Sequence, residues 1–147
     1  MTLAIQKAQK TDKKDLLRFY KQQQYSARFL GYDQAFFIKT NNNSHIIAAV
    51  IISTINEHSP QTLLHALVVD KKHRHQQLAS ALLQHCISQR LTLVCFADKA
   101  LTRLYINNGF SAVAPTTLTV ELQQRFVSYH TKNTHLMPFY YQHSPSD

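Results

Sequence analysis

The 147-residue sequence predicts a single α/β domain over residues 1–147. Its apolar residues change several times between a period of two and a period of 3.6, as strands and helices alternate along the chain. A hydrophobic fraction of 44% is also large enough for one well-packed core. Alternation of this kind favours crossover connections between neighbouring strands.

The N-terminal half predicts a strand, a helix and a hairpin. Thr11 and Asp12 offer a cap for the helix, in which Leu16, Leu17, Phe19 and Tyr20 share one flank. The asparagine-rich run 41–44 is typical of a turn, because asparagine tolerates positive φ. The predicted elements are a strand at 3–8, a helix from 13 that frays at 22–24, and hairpin strands at 35–39 and 45–55.

The C-terminal half alternates strand and helix, and its last third departs from that rhythm. Gly109 is suited to end a helix in the left-handed conformation. Leu118, Leu122, Phe126 and Tyr129 recur on one helical face after Pro115. The predicted elements are strands at 62–69 and 91–96, helices at 76–89 and 98–109, an extended segment from 110, a helix around 118–129 and either a strand or a docking tail at 137–141.

Charge and cysteine content restrict the classes of function. Sixteen Lys and Arg against eight Asp and Glu give a net charge of +8, which favours an anionic partner such as nucleic acid, a membrane surface or a phosphorylated small molecule. Cys86 and Cys95 cannot form a disulfide framework, and both fall within apolar segments that predict packing. The N-terminal residues lack a signal-peptide core, and the longest apolar run, 46–52, is strand-sized. We therefore expect a cytoplasmic protein that does not cross a membrane.

Two motifs lie in the order strand, turn, helix, strand and helix. Residues 64–79, LHALVVDKKHRHQQLA, place Val69, Arg74 and Ala79 in register with the pattern Val-x-Pro-x-x-Arg-x-x-Gly-x-Gly/Ala. Residues 98–110, DKALTRLYINNGF, carry a tyrosine, glycine and phenylalanine in register with Asn-x-x-Ala-x-x-x-Tyr-x-x-x-Gly-Phe. Each motif has modest specificity alone, and the ordered pair is considerably more specific.

Over residues 2–112 this combination resembles the GCN5-related N-acetyltransferase (GNAT) superfamily. The resemblance implies a central mixed, mostly antiparallel twisted sheet with helices on both faces. It also implies transfer of an acetyl group from acetyl-coenzyme A, without a metal, to a primary amine of a small molecule or peptide. A catalytically impaired binding or regulatory module of the same fold is the alternative. A nucleic-acid binder is disfavoured because the lysines are dispersed and no aromatic-basic RNA signature is present.

The turn after the first motif's strand predicts an anion site. A helix N-terminus presents unpaired N–H groups and the positive end of a dipole, although a solvated turn with surface lysines is the simpler interpretation of the charges. The resemblance implies that amides of residues 74–80 bind the diphosphate of coenzyme A. The residues expected to bind the cofactor are Leu67, Val68, Val69, Arg74, His75, Gln76, Gln77, Leu78, Ala79, Ser80 and Asp98.

Two residues depart from the family pattern in ways that bear on the cofactor. Gln77 stands where the family usually has glycine, and a positive φ there would cost on the order of 1 to 2 kcal/mol. Asp98 replaces an asparagine that bonds the pantetheine arm in the family, so it keeps an acceptor and loses an amide donor. Both substitutions suggest a weakened cofactor site.

The resemblance also implies catalytic roles. Tyr105 matches the family tyrosine that protonates the sulfur of coenzyme A, and a packed helical tyrosine is the alternative. His65 matches a strand histidine that assists amine deprotonation in arylalkylamine N-acetyltransferases, although many strand histidines only stabilise a core. Glu57 is a second candidate base, and a solvated loop carboxylate is the simpler interpretation of it.

Several expectations concern the acceptor and other partners. The acceptor pocket should lie across the first helix, the hairpin and the C-terminal segment, where Tyr25, Phe29, Tyr32 and Phe36 are candidates for aromatic walls, with simple packing as the alternative. Scarce acidic residues argue against polycationic acceptors. His73 and His75 form too small a cluster for a metal site. The sequence leaves open whether the protein is a homodimer, and it assigns no role to the extension 113–147.

Overall fold

The computed structural model of the chain describes residues 4–27, 32–40, 45–55, 58 and 60–143. Within these ranges, strands and helices alternate much as the apolar periodicity predicts. The strands are β1 (Ile5–Lys7), β2 (Tyr32–Lys39), β3 (Ile46–Thr54), β4 (Gln61–Val69), β5 (Thr92–Asp98), β6 (Ser111–Ala112) and β7 (Leu136–Tyr141). The helices are α1 (Lys13–Gln22), α2 (Leu78–Ser88), α3 (Thr102–Asn107) and α4 (Val120–Lys132).

The seven strands form one mixed sheet in the order β1-β2-β3-β4-β5-β7-β6. All neighbouring strands are antiparallel except β4 and β5, which are parallel and connected through α2. The last strand, β7, inserts between β5 and β6 and pairs with β5 over six residue pairs from Leu93–Tyr141 to Asp98–Leu136. The predicted mixed, mostly antiparallel sheet is therefore confirmed.

Helices cover both faces of the sheet. On one face, α2 and α3 enclose the largest apolar cluster, which includes Leu82, Leu83 and Cys86. On the opposite face, Leu16, Phe19 and Tyr20 of α1 form a second cluster, and Leu122 and Phe126 of α4 form part of a third. Because α1 lies toward the β2 side and α4 toward the β5 side, the middle strand β4 lies beneath the space between these two helices.

Local differences from the sequence prediction have identifiable causes. Leu17, expected on the buried flank of α1, is 40% exposed because it falls beside the buried stripe. The second predicted helix begins at Leu78 instead of 76, since Gln77 adopts a left-handed conformation with φ 61°. Gly109 has φ 91°, as expected, and a Cβ there would lie 3.0 Å from the Tyr141 ring. The predicted hairpin turn at 41–44 lies outside the described residues.

Within the described ranges, no helix is both long enough and apolar enough to cross a bilayer.

Candidate active site

Strands β4 and β5 separate halfway along their length. Their parallel pairing extends from Gln61–Thr92 to Leu64–Cys95 and does not continue beyond that pair. At the same level β4 contains a bulge, where its register with β3 shifts and Ala66 has φ 57°. A bulge adds one residue to one strand, which turns the strand and increases its twist. The bulge thus directs the last residues of β4 away from β5.

A tyrosine of α1 stabilises the bulge. The hydroxyl of Tyr20 donates a hydrogen bond of 2.8 Å to the carbonyl oxygen of Ala66. Burial raises the pKa of Tyr20 well above its ordinary value, with smaller contributions from Tyr25 and Cys86, so the phenol remains a donor at neutral pH. This contact ties α1 to the point at which the strands diverge.

A cavity of about 760 Å³ lies beside the last residues of β4, beyond the point at which β4 stops pairing with β5. It extends from the end of α1 past these residues to the start of α2 and one side of α3. Its walls are formed by Gln23, Tyr25, Leu67, Val68, Val69, His73, Arg74, His75, Gln77, Leu78, Ala79, Ser80, Leu101, Leu104 and Tyr105.

The residues predicted to bind a cofactor lie around this cavity with two exceptions, Gln76 and Asp98. The carboxylate of Asp98 accepts a hydrogen bond of 2.9 Å from the backbone N–H of Ala100, and so caps the short 3₁₀ turn Lys99–Leu101 before α3. The structure therefore gives Asp98 a capping contact outside the cavity wall.

The start of α2 has the geometry of an anion site. Within the described part of the chain, the backbone N–H groups of residues 77–80 find no hydrogen-bond acceptor. Both His75 and Gln77 have positive φ, 66° and 61°, which turns the backbone sharply before the helix. Gln77 therefore occupies the strained conformation that the missing glycine would adopt freely. Unpaired amides at the N-terminus of an eleven-residue helix favour a phosphate group.

The charged side chains of this turn belong to the short 3₁₀ segment Lys71–His73 and to the residues on either side of it, Asp70 and Arg74. Nδ1 of His73 lies 3.5 Å from the Asp70 carboxylate, and the side chains of Lys71 and Lys72 are exposed. His73 faces an acid and not a second imidazole. Among the described residues, no three His, Cys, Asp or Glu side chains converge as metal ligands.

Tyr105 lies at the inner side of the cavity, where only 2% of its surface is exposed. Its ring stacks on Phe139 at a centroid distance of 4.9 Å. The Cys95 thiol donates a hydrogen bond to its hydroxyl at 3.3 Å. Burial, together with Cys95, raises the pKa of Tyr105 well above its ordinary value, so the phenol keeps its proton at neutral pH.

His65 does not line this cavity. It lies on the sheet face covered by α1 and α4, one residue before the bulge, and its Nε2 is 2.7 Å from Oγ of Ser53. Burial lowers the pKa of His65 to about 4, against an opposing effect of Asp33 and with a further lowering by Arg125. The imidazole is therefore neutral at physiological pH.

Tyr25 lines the same cavity as the residues predicted to bind the cofactor. It was expected only as an aromatic wall, but it reaches the cavity from the end of α1 and its ring lies 5.8 Å from that of Tyr20. Its position depends on a backbone hydrogen bond of 2.9 Å from its N–H to the Tyr20 carbonyl, which closes the helix end. No local sequence pattern signals this contact with the cavity.

The other residues expected near the acceptor do not line this cavity in the described part of the chain. Phe36 packs against His85 of α2 at a ring distance of 4.6 Å, on the sheet face opposite α1. Its assignment as an acceptor wall is therefore wrong, because the strand alternation points it to the other face. Phe29, Glu57 and the side chain of Tyr32 lie outside the described residues.

A family model described as "Acetyltransferase (GNAT) family" matches residues 3–110. No curated protein shows a significant match to the chain. Solved structures with similar folds include N-acetylglutamate synthase from Neisseria gonorrhoeae complexed with coenzyme A and N-acetyl-glutamate, at TM-score 0.69, 13% identity and 95% coverage of this chain. This chain spans 35% of that enzyme.

Two other similar structures have lengths close to that of this chain. An acyl-CoA N-acyltransferase from Pseudomonas aeruginosa aligns at TM-score 0.66 and 14% identity, over 95% of this chain and 99% of its own. Arabidopsis thaliana NAA60 in complex with a bisubstrate analogue aligns at TM-score 0.64 and 14% identity, over 95% and 97%. At these low identities the structural similarity shows the fold alone. The match to the family model adds the class of activity. The predicted fold and the predicted class, acetyl-coenzyme A-dependent N-acetyl transfer, are thereby confirmed, and the chain belongs to the acetyltransferase (GNAT) family.

Proposed function

We propose that this chain transfers an acetyl group from acetyl-coenzyme A to the primary amine of a small molecule or peptide, using the cavity beside the end of β4. The observation that carries the proposal is the continuity of this cavity, which connects the unpaired amides at the start of α2 with the hydroxyl of Tyr105. This continuity supports a site in which one extended ligand contacts both the start of α2 and Tyr105.

The diphosphate of coenzyme A fits the start of α2. The amides of residues 77–80 would donate to its oxygens, and Arg74 would add a charge-assisted contact. The acyl end would then approach the bulge at Ala66, where β4 no longer pairs with β5. Backbone groups of Leu67 to Val69 that β5 leaves unpaired are suited to bind the amide-like arm and the thioester.

Tyr105 is proposed as the acid that serves the departing thiolate. The hydrogen bond from Cys95 occupies an acceptor site of the phenol oxygen, so the phenol's own O–H remains for another acceptor. A phenol with a raised pKa stays protonated at neutral pH, as an acid must before it acts.

His65 is proposed as the acceptor of the amine proton, acting through Ser53 or water. A pKa of about 4 makes it a weak base toward a free ammonium ion. The ammonium formed when an amine adds to a thioester is much more acidic, so a weak base is sufficient at that step. Its contact with Ser53 at 2.7 Å provides a hydroxyl that can pass the proton.

One observation favours a second function, that of a binding module with impaired catalysis. Gln77 retains a left-handed conformation with φ 61° and carries a side chain where phosphate must approach. Weak cofactor binding at this turn would leave the fold intact and the chemistry slow.

Isothermal titration with coenzyme A, followed by a thiol-release assay over a panel of primary amines, distinguishes these functions. The transferase proposal predicts saturable binding and release of free coenzyme A that depends on the amine. Saturable binding without release on any amine would favour the module. Absence of binding at millimolar concentration would contradict both.

We also propose that residues 113–147 belong to the same domain, because β7 completes the sheet between β5 and β6. A cytoplasmic location is part of the proposal. It is supported by Cys86 and Cys95, which are both buried as free thiols.

A further inference from the structure

Helix α4 lies outside the region matched by the family model, yet it runs beside the proposed reaction centre. Its N-terminus is fixed at the start of β4, where the backbone N–H of Thr119 donates to Oε1 of Gln61 at 2.8 Å. Further along, Phe126 packs against Phe96 of β5 at a ring distance of 5.2 Å. The helix therefore runs along the parallel strands toward the level at which they separate.

One flank of α4 faces the space between α4 and α1. Arg125 and Tyr129 are four residues apart and so share this flank. Tyr129 lies 5.7 Å from the Phe96 ring, and its hydroxyl acts electrostatically on Tyr25 at the end of α1. The flank thus faces both the cavity wall and β4.

Arg125 is the cation of this flank. Both Arg125 and His65 lie beyond the contact between Thr119 and Gln61, about 9 Å along α4 and about 13 Å along β4 respectively. The half-buried guanidinium acts electrostatically on His65. Among the described residues, none forms a hydrogen bond or ion pair with this guanidinium.

A carboxylate lies on the other side of His65. Asp33 of β2 pairs across the sheet with Ser53 of β3, whose hydroxyl contacts the imidazole at 2.7 Å. The Asp33 carboxylate acts on His65 with the opposite sign to Arg125. A negative and a positive group thus flank one histidine, and this arrangement is complementary to a zwitterion.

We propose that Arg125 binds a carboxylate of the acceptor, so that the acceptor is an amino acid with its amine directed to the bulge and its carboxylate to α4. This inference rests on the proposed transferase function and defines its substrate class. A guanidinium is suited to this role because its planar N–H donors match a carboxylate in two parallel hydrogen bonds. Asp33 assists by favouring the ammonium end on the opposite side. The segment beyond the family match thereby selects the substrate.

The first test uses amines that differ only by the carboxylate. Acetyl transfer is measured with phenylalanine and phenethylamine, alanine and ethylamine, and glycine and methylamine. For the wild type, kcat/KM should favour the amino acid of a reactive pair by about tenfold or more. Arg125→Met should remove that preference by lowering kcat/KM for the amino acid, with less than about threefold change for the plain amine.

Arg103→Met is the matched control, since Arg103 is exposed on α3. It should retain the wild-type preference, and thermal melting should show that both variants are folded. Equal kcat/KM for both members of every reactive pair in the wild type, or an unchanged preference in Arg125→Met, would overturn the inference while leaving the transferase function intact.

A binding measurement keeps the inference testable if no amine is acetylated, an outcome that would count against the transferase function itself. The protein, saturated with coenzyme A, is titrated with N-acetylphenylalanine and with N-phenethylacetamide, which lacks the carboxylate. The wild type should bind the first compound at least about fivefold more tightly, and Arg125→Met should lose this difference. Equal affinities in the wild type would contradict carboxylate recognition.

Discussion

Sγ of Cys95 lies 3.3 Å from the hydroxyl oxygen of Tyr105, and the thiol is the donor of this hydrogen bond. Burial raises the pKa of Cys95 to about 12, so the thiol keeps its proton at neutral pH. A phenol that accepts from a thiol retains its own O–H for a different acceptor. In the proposed reaction that acceptor is the departing sulfur.

Tyr105→Phe should lower turnover by about tenfold or more, because the proposed acid is removed, with little change in the affinity for acetyl-coenzyme A. Steady-state rates and titration calorimetry measure the two effects separately. Tyr140→Phe is the control, since that hydroxyl donates only to the surface residue Gln142 at 2.9 Å. Turnover equal to that of the wild type would remove Tyr105 as the acid.

Neither thiol should react with a chromogenic disulfide reagent in the native protein. Cys86 and Cys95 are buried, and burial raises the pKa of each to about 12, so almost no thiolate is present. At about pH 8 we expect no rapid thiol titre, and two thiols per chain after denaturation. Rapid native labelling of either cysteine would show that the core beside β5 is open. The expected result also means that a thiol-release assay reports coenzyme A alone.

Gln77→Gly should stabilise the protein and strengthen cofactor binding. Glycine adopts φ 61° without the steric cost that a Cβ carries, and it leaves more room for a phosphate. A gain of about 1 kcal/mol corresponds to a melting temperature about 2 to 4 °C higher. Gln76→Gly, at a neighbouring position without positive φ, should lower the melting temperature. A lower melting temperature and weaker binding in Gln77→Gly would show that the glutamine itself makes a needed contact.

His65 should make stability fall in mild acid. Its pKa falls from 6.5 in the unfolded chain to about 4 in the folded protein, so the unfolded state binds the proton more readily between these values. Above about pH 6.5 the imidazole is neutral in both states, and the free energy of unfolding has its full value. As the pH falls toward about 4, the unfolded chain binds a proton that the folded protein does not, so the free energy of unfolding decreases. The full effect is about 3 kcal/mol, of which about 2 kcal/mol is lost between about pH 7.5 and pH 5.

Urea denaturation of wild type and His65→Gln at these two pH values measures that loss as the change in their stability difference. His135→Gln, at an exposed histidine, is the control and should follow the wild type. A stability difference that is the same at both pH values would contradict a buried neutral imidazole.

Much of the fold follows from local patterns. Leu122 and Phe126 predict the buried face of α4, Leu118 packs into the same cluster just before the helix begins, and Gly109 predicts the end of α3. The motif at 64–79 predicts the cavity because its chemistry is concentrated in one strand, one turn and one helix end. These features are decided by residues that are close in sequence.

Features decided by distant contacts were not predictable. The position of β7 between β5 and β6 depends on pairing with residues of β5 that lie 38 to 48 positions earlier in the chain. The bulge at Ala66 has no glycine to mark it, and its partner Tyr20 is 46 residues away. Asp98 satisfies the backbone N–H of Ala100 instead of facing the cavity, because a local cap competes with a ligand contact.

The central claim is that the backbone amides at the start of α2 bind the diphosphate of coenzyme A. A crystal structure of the protein soaked with coenzyme A tests this most directly. The account predicts density for the diphosphate within hydrogen-bonding distance, about 3 Å, of the N–H groups of residues 77–80, and for the pantetheine arm between β4 and β5. Clear density for coenzyme A elsewhere, or an empty cavity at saturating ligand, would contradict it.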